Sequence, residues 1–184
     1  HFSKLEERQM PNFVAHFLDS VGRIENEIGI RTAAKNTWGD GLFIVFRNAG
    51  DAIRYSRTLL DRVKRTDWAA LGLPAGVNLR VALHAGPVYV GRDPVTGRRT
   101  CYGTHVNSAA RIEPITPPGK IYVSQAVAAL VTAMRLEDCA CEYVGQMPLA
   151  KNFGVFPMYV LQTEATAAED TECSCSGPEG PGSS

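Results

Sequence analysis

The sequence lacks a net charge of either sign: nineteen lysines and arginines are balanced by nineteen aspartates and glutamates. A chain without basic excess has no long-range attraction for nucleic acid or for an anionic membrane surface, so neither is expected as a partner, and any anion site must be built locally. Also missing is an apolar run of bilayer length, and the opening stretch HFSKLEERQM is too polar and acidic for a secretion signal. A cytoplasmic location is the resulting expectation. Cysteine is sparse and odd in number. Cys101, Cys139, Cys141, Cys173 and Cys175 do not make the even framework of a disulfide-stapled secreted domain, and the two C-x-C pairs miss the usual spacing of zinc ligands. Reduced thiols are expected.

What is present fits one compact α/β core. After Pro11, Phe13, Phe17, Val21, Ile24 and Ile28 recur at three- and four-residue steps, which predicts one amphipathic helix ending near Gly29. Residues 31–46 read as two strands closed by the turn Gly39-Asp40-Gly41. Asn48 with Asp51 predicts a capped helix start, and Ile53, Leu59, Leu60 and Val63 supply that helix's buried face. Residues 78–91 read as a strand running through Gly86-Pro87, followed by a turn at 93–97 and a return strand; residues 104–114 suit a short helix. Lys120–Val123 is a β-branched run that opens onto Ser124, the expected cap of a helix carrying Val127, Leu130 and Val131. Two last strands fit 140–149 and 155–161. This order argues an α+β fold, an antiparallel-rich sheet covered by helices, rather than a doubly wound parallel sheet. The domain is expected to span residues 1–162. Residues 163–184, rich in Glu, Ala, Ser, Gly and Pro, are too poor in apolar groups to order themselves and are expected to form a tail or linker.

Two polar features stand out against this frame. Asp40 sits between two glycines at a hairpin turn, a placement that conformational preference alone can explain. Asn107 and Arg111 are spaced i,i+4, so both side chains leave the same face of one short helix. Such a pair is commonly a solvated face, but a guanidinium beside a carboxamide also suits a phosphate ester and a sugar oxygen.

The stretches NTWGDGLFIVF, LRVALHAGPVYVG and YGTHVNSAARIEPITPPGKIYVS resemble, in order and with matching gaps, the catalytic domain of the class III adenylate/guanylate cyclases, whose pattern is T-I-G-D, R-V-G-I-H-x-G-P-V, G-D-x-V-N-x-A-A-R and P-G-x-I-x-V-S. The resemblance covers about residues 2–161. It implies a ferredoxin-like βααββαβ core whose first strand lies before residue 1. It also implies a nucleotidyl cyclase, ATP favoured, that makes a 3′,5′-cyclic nucleotide and pyrophosphate at sites shared between two copies of the chain. By this resemblance Asp40 matches a metal aspartate for Mg²⁺ or Mn²⁺, two ions per site. Asn107 matches the residue that orients the ribose, and Arg111 the one that stabilises charge on the α-phosphate. Lys151, with Phe2 and Ser3, matches phosphate-binding positions. Asn36 and Thr100 fall at the base-recognition positions. Regulatory domains outside these residues are implied as well.

The sequence departs from the family pattern in three places. The first metal aspartate would fall upstream of His1, so residues 1–184 alone are expected to show weak activity or none. Asn36 with Thr100 matches neither the adenylate nor the guanylate pattern: Thr100 leans towards adenine, but a carboxamide both donates and accepts and can pair with adenine, guanine or a pyrimidine edge, so the base stays open, a pyrimidine triphosphate included. His105 stands where a small residue is usual, and His84 in LHAG is expected to be structural. No G-G-D/E-E-F turn of a diguanylate cyclase is present. The alternative to an enzyme is a catalytically inactive cyclase-homology domain acting as a nucleotide-binding or dimerising regulatory module.

Overall fold

The computed structural model describes residues 5–38, 41–136 and 139–162. Phe2, Ser3, Asp40 and the tail, with Cys173 and Cys175, lie outside the described residues.

The apolar stripe near the amino terminus does form a helical run, but not a uniform one. A 3₁₀ turn at Glu7–Gln9 leads through α1 (Met10–Asn12) and a π-helical segment, Phe13–Leu18, into α2 (Asp19–Glu27). Phe13, Phe17, Val21 and Ile24 keep a single buried face throughout. The run stops where Gly29 turns to φ 67°, the left-handed conformation that glycine adopts without a steric penalty. β1 (Ala34–Trp38) and β2 (Gly41–Val45) then pair antiparallel with Trp38 opposite Gly41, so only Gly39 and Asp40 link them.

α3 (Ala49–Arg65) begins as its sequence predicts, with Asn48 Oδ1 accepting from the Asp51 amide at 2.8 Å. It is apolar on two sides. Tyr55, Leu59 and Val63 pack on Phe17, Val21 and Ile24, with Trp68 and Leu73 closing the cluster, while Ile53 and Leu60 face the main sheet. Each such buried side chain contributes roughly 1.5–3 kcal/mol.

The expected single strand through 78–91 is instead broken. β3 covers only Val81–Leu83, and the chain returns to strand at β4 (Tyr89–Arg92), which pairs antiparallel with β5 (Arg99–Tyr102) in a separate hairpin. Pro87 has no amide to offer a ladder, which accounts for the interruption. After α4 (Thr104–Ile112) and a 3₁₀ turn at Glu113–Ile115 come β6 (Ile121–Ser124), α5 (Gln125–Ala133), β7 (Ala140–Pro148) and β8 (Val155–Gln162). The main sheet runs β3-β6-β8-β7, with β3 parallel to β6 and the other pairs antiparallel.

Alternation along the strands sorts the sheet into two faces. Val81, Leu83, Ile121, Val123 and Leu161 face α3 and α5, where Val127, Ala128 and Val131 meet them. Ala82, Tyr122, Met158 and Val160 face the other way, against Ile112 of α4 and Leu149. α4 is thereby clamped on the sheet by one side, and its opposite side looks outward.

Candidate active site

Gly103 alone separates β5 from α4, and it takes φ 137°, a value that side-chain-bearing residues rarely adopt. That turn sets the direction of α4. With Ile112 buried at 1% exposure, the helix presents Asn107, exposed, and Arg111, half-buried, on the side away from the sheet core. Among the described residues neither side chain has a hydrogen-bond or ion-pair partner within the fold. Just beyond the helix, Arg80 Nε meets Glu113 Oε1 at 2.8 Å. An unpaired guanidinium and an unpaired carboxamide on one helix face leave donors and acceptors available to a ligand.

Lys151 belongs to a 3₁₀ turn, Ala150–Asn152, that packs against α4. Lys151 (φ 59°) and Asn152 (φ 54°) are both left-handed without being glycine, a costly backbone held by the tight loop in which the Leu149 amide donates to the Gly154 carbonyl at 2.8 Å. The fold therefore gathers Asn107, Arg111 and the Lys151 loop on neighbouring elements. It does the same for the two base-recognition positions, since β1, bearing Asn36, lies against β5, bearing Thr100. Both are half-buried, and Asn36 Oδ1 accepts from the Thr37 amide at 2.9 Å.

Asp40 falls outside the described residues, as do Phe2 and Ser3. Among the described residues no group of three or more histidine, cysteine, aspartate or glutamate side chains is placed to hold a metal ion. The thiols of Cys101, Cys139 and Cys141 are free, and burial pushes those of Cys101 and Cys141 above the ordinary range, so they are poor candidates for thiolate chemistry. No described helix is long and apolar enough to cross a membrane.

One polar cluster was not expected from the sequence. His84 Nδ1 lies 2.9 Å from Ser124 Oγ, and His84 Nε2 lies 2.8 Å from His105 Nδ1, the two rings meeting edge to edge with centroids 5.1 Å apart and planes 17° from parallel. Ser124, expected to cap α5, makes no side-chain bond to that helix. The signal was in the sequence but divided: alternation puts His84 on the Ala82 face and Ser124 on the Tyr122 face, and only the register Ala82↔Tyr122 makes those faces neighbours.

Comparison with known proteins bears on the fold and the family. The profile of the family described as "Adenylate and Guanylate cyclase catalytic domain" matches residues 12–163. The receptor-type guanylate cyclase gcy-6 of Caenorhabditis elegans is 31% identical over 141 residues, 72% of this chain and 13% of that protein. The chain spans 8% and 13% of the lengths of two curated relatives that it matches. Among solved structures, the guanylate cyclase domain of RhGC from Catenaria anguillulae, in complex with GTP, superposes with a TM-score of 0.71 at 18% identity, covering 88% of this chain and 87% of that one. The adenylyl cyclase CyaB from P. aeruginosa gives 0.65 at 17% identity, covering 88% and 86%. The ferredoxin-like α+β fold, the outward face of α4 and the family match lead to one assignment: this chain belongs to the adenylate and guanylate cyclase catalytic-domain family.

Proposed function

We propose that the protein is a nucleotidyl cyclase that converts a nucleoside triphosphate, with ATP favoured, to its 3′,5′-cyclic nucleotide and pyrophosphate. The observation that carries this reading is the outward pair Asn107 and Arg111, without side-chain partners among the described residues and flanked by the strained Lys151 loop. In the proposed reaction the 3′-oxygen attacks the α-phosphorus in line, the bond to the bridging oxygen breaks, and pyrophosphate leaves with that bond's electron pair. Asn107 fixes the ribose so that the 3′-oxygen is aligned, and Arg111 meets charge growing on the α-phosphate oxygens. Lys151 holds the terminal phosphates as a flexible point charge.

Asp40 would hold Mg²⁺ or Mn²⁺, and a hard carboxylate oxygen suits either ion. The bound ions would supply charge neutralisation on the triphosphate and a lowered 3′-hydroxyl pKa. For the base, an Asn36 oxygen already engaged by the Thr37 amide leaves its NH₂ as the free group, which suits adenine N1, while the Thr100 hydroxyl can accept from adenine N6.

A second copy of the chain is the proposed partner, with Asp40 from one protomer facing Asn107 and Arg111 of the other. Supporting this is the β4–β5 hairpin, which exposes Tyr89 (73%), Val95 (91%) and Tyr102 to solvent in the single chain.

The test is mass-spectrometric product analysis of the full-length protein incubated separately with ATP, GTP, CTP and UTP in Mn²⁺, with Arg111→Ala as control. A cyclic product from ATP in excess of the others, lost in Arg111→Ala, is the expected result. No cyclic product from any triphosphate would replace this reading with a non-catalytic regulatory module.

A further inference from the structure

His84, Gly86, His105 and Ser124 come from three segments and meet on the α4 side of the main sheet, yet none is assigned a contact with the nucleotide. We propose that Ser124, His84 and His105 form a hydrogen-bonded chain that holds the first turn of α4 in place, making His84 and His105 positioning residues for Asn107 and Arg111. Its consequence for turnover rests on the cyclase reading; its consequence for the helix does not.

Three observations support it. First, among the described residues no other side-chain hydrogen bond joins the first turn of α4 to the sheet. Its cap residue is Gly103, which offers no side-chain acceptor, and the first-turn amides of Val106 and Asn107 reach only the Gly103 carbonyl, at 3.1 and 3.4 Å. His105, in that first turn, is the residue bound to the sheet. Second, Ser124 stands in the cap position of α5 with extended backbone, yet its hydroxyl goes to His84 instead of to an α5 amide. A local preference given up in this way marks a hydroxyl committed elsewhere. Third, Gly86 leaves room for the His105 ring: a Cβ at position 86 would run into it. The glycine of LHAG is thus part of the same arrangement.

Proton accounting fixes what the chain can be. Between His84 Nε2 and His105 Nδ1 one nitrogen must carry hydrogen and the other a lone pair. If His84 Nε2 donates, its Nδ1 accepts from the Ser124 hydroxyl; if His105 Nδ1 donates, His84 donates from Nδ1 to Ser124 Oγ. Both neutral arrangements complete the chain, because a hydroxyl can serve either role. The sequence thereby couples the end of β3, the end of β6 and the start of α4 through polar contacts that are specific in direction, where apolar packing would let the helix slide.

The test uses the full-length protein and two independent readouts. One is amide hydrogen exchange of Val106 and Asn107; the other is kcat and KM for the preferred triphosphate. His105→Leu keeps bulk but removes the ring nitrogens, and His105→Asn retains a hydrogen-bonding group near Nδ1. The expected result is exchange about tenfold faster and kcat about tenfold lower in His105→Leu, the size of one lost net hydrogen bond, with KM little changed and both effects largely rescued in His105→Asn. Ser124→Ala, which removes only the far end, should move both readouts in the same direction and serves if His105→Leu does not fold. Unchanged exchange in these variants overturns the proposal whatever the activity. Faster exchange with unchanged kcat, in a parent that makes product, overturns the positioning role. A parent with no cyclic product defeats the cyclase reading, and exchange alone then decides the tether.

Discussion

Ile112 and Arg111 are adjacent in sequence and about 100° apart around α4, one buried against the sheet and the other half-buried on the flank, so one substitution at each tests how the helix is seated. Ile112 is 1% exposed and packs with Tyr122, Leu149 and Met158 beneath the sheet. Replacing it with alanine removes three carbons from a site whose neighbours sit on three different elements and cannot all collapse inward. The cost lies in the range for buried Ile→Ala, about 2–5 kcal/mol, of which part is lost transfer energy and part the cavity. For a domain of this size each kcal/mol lowers the thermal midpoint by roughly 2–4 °C, so a fall of about 7–14 °C is expected for a cost near the middle of that range. Arg111→Ala removes no ion pair or hydrogen bond within the described fold and should stay within about 0.5 kcal/mol, or under about 2 °C. Circular dichroism melts of the three proteins measure both. If Arg111→Ala destabilises as much as Ile112→Ala, the arginine is a structural tie and its availability to a ligand is refuted.

Asn48→Ala removes the acceptor for the Asp51 amide and should cost about 1 kcal/mol in urea unfolding, with Asn48→Ser largely neutral. Gly103→Ala places a side chain at φ 137° and should reduce turnover and stability together, detectable in parallel melts and assays, because the turn that aims α4 must change. For pH, burial and then the neighbouring His105 ring push the His84 pKa below the usual 6.5. The unfolded chain then binds more protons between that lowered value and 6.5, so this contribution to stability is complete above 6.5 and is lost as pH falls through the folded value. The charged groups on α4 and on the described elements packed against it are Arg111, Glu113, which pairs with Arg80, and Lys151. The midpoint should drop from about pH 7.5 to about pH 5.5, and by less in His84→Gln; equal drops would count against the assignment.

Features set by local chemistry were readable from the chain alone. The stripe from Phe13 to Ile24, the Asn48 cap and the hairpin around Gly39-Asp40 each depend on residues within a few positions of one another, and each appears where expected. The π-helical segment within that stripe leaves the same buried face and so gives no separate pattern. The break after Leu83 was masked because the β-like alternation continues through residues that belong to no ladder. Ser124 shows the limit most clearly. As a serine before an apolar helix it reads as a cap, and only the parallel pairing of β3 with β6 reveals that His84 competes for its hydroxyl. The i,i+4 spacing of Asn107 and Arg111 was legible, but that their side chains have no partner among the described residues required the packing of Ile112 to be known.

The central claim is a composite site, with Asp40 on one protomer and Asn107 and Arg111 on the other, and mixing two inactive variants tests it most directly. Asp40→Ala and Arg111→Ala, each expected to be inactive alone as full-length protein, would be combined and allowed to exchange subunits before cyclic nucleotide is measured. Random pairing makes half of the dimers mixed, each with one intact site of two, so activity of about a quarter of the parent level is expected. A mixture no more active than either variant alone, in protein shown to exchange subunits, would contradict a site shared between two copies of this chain.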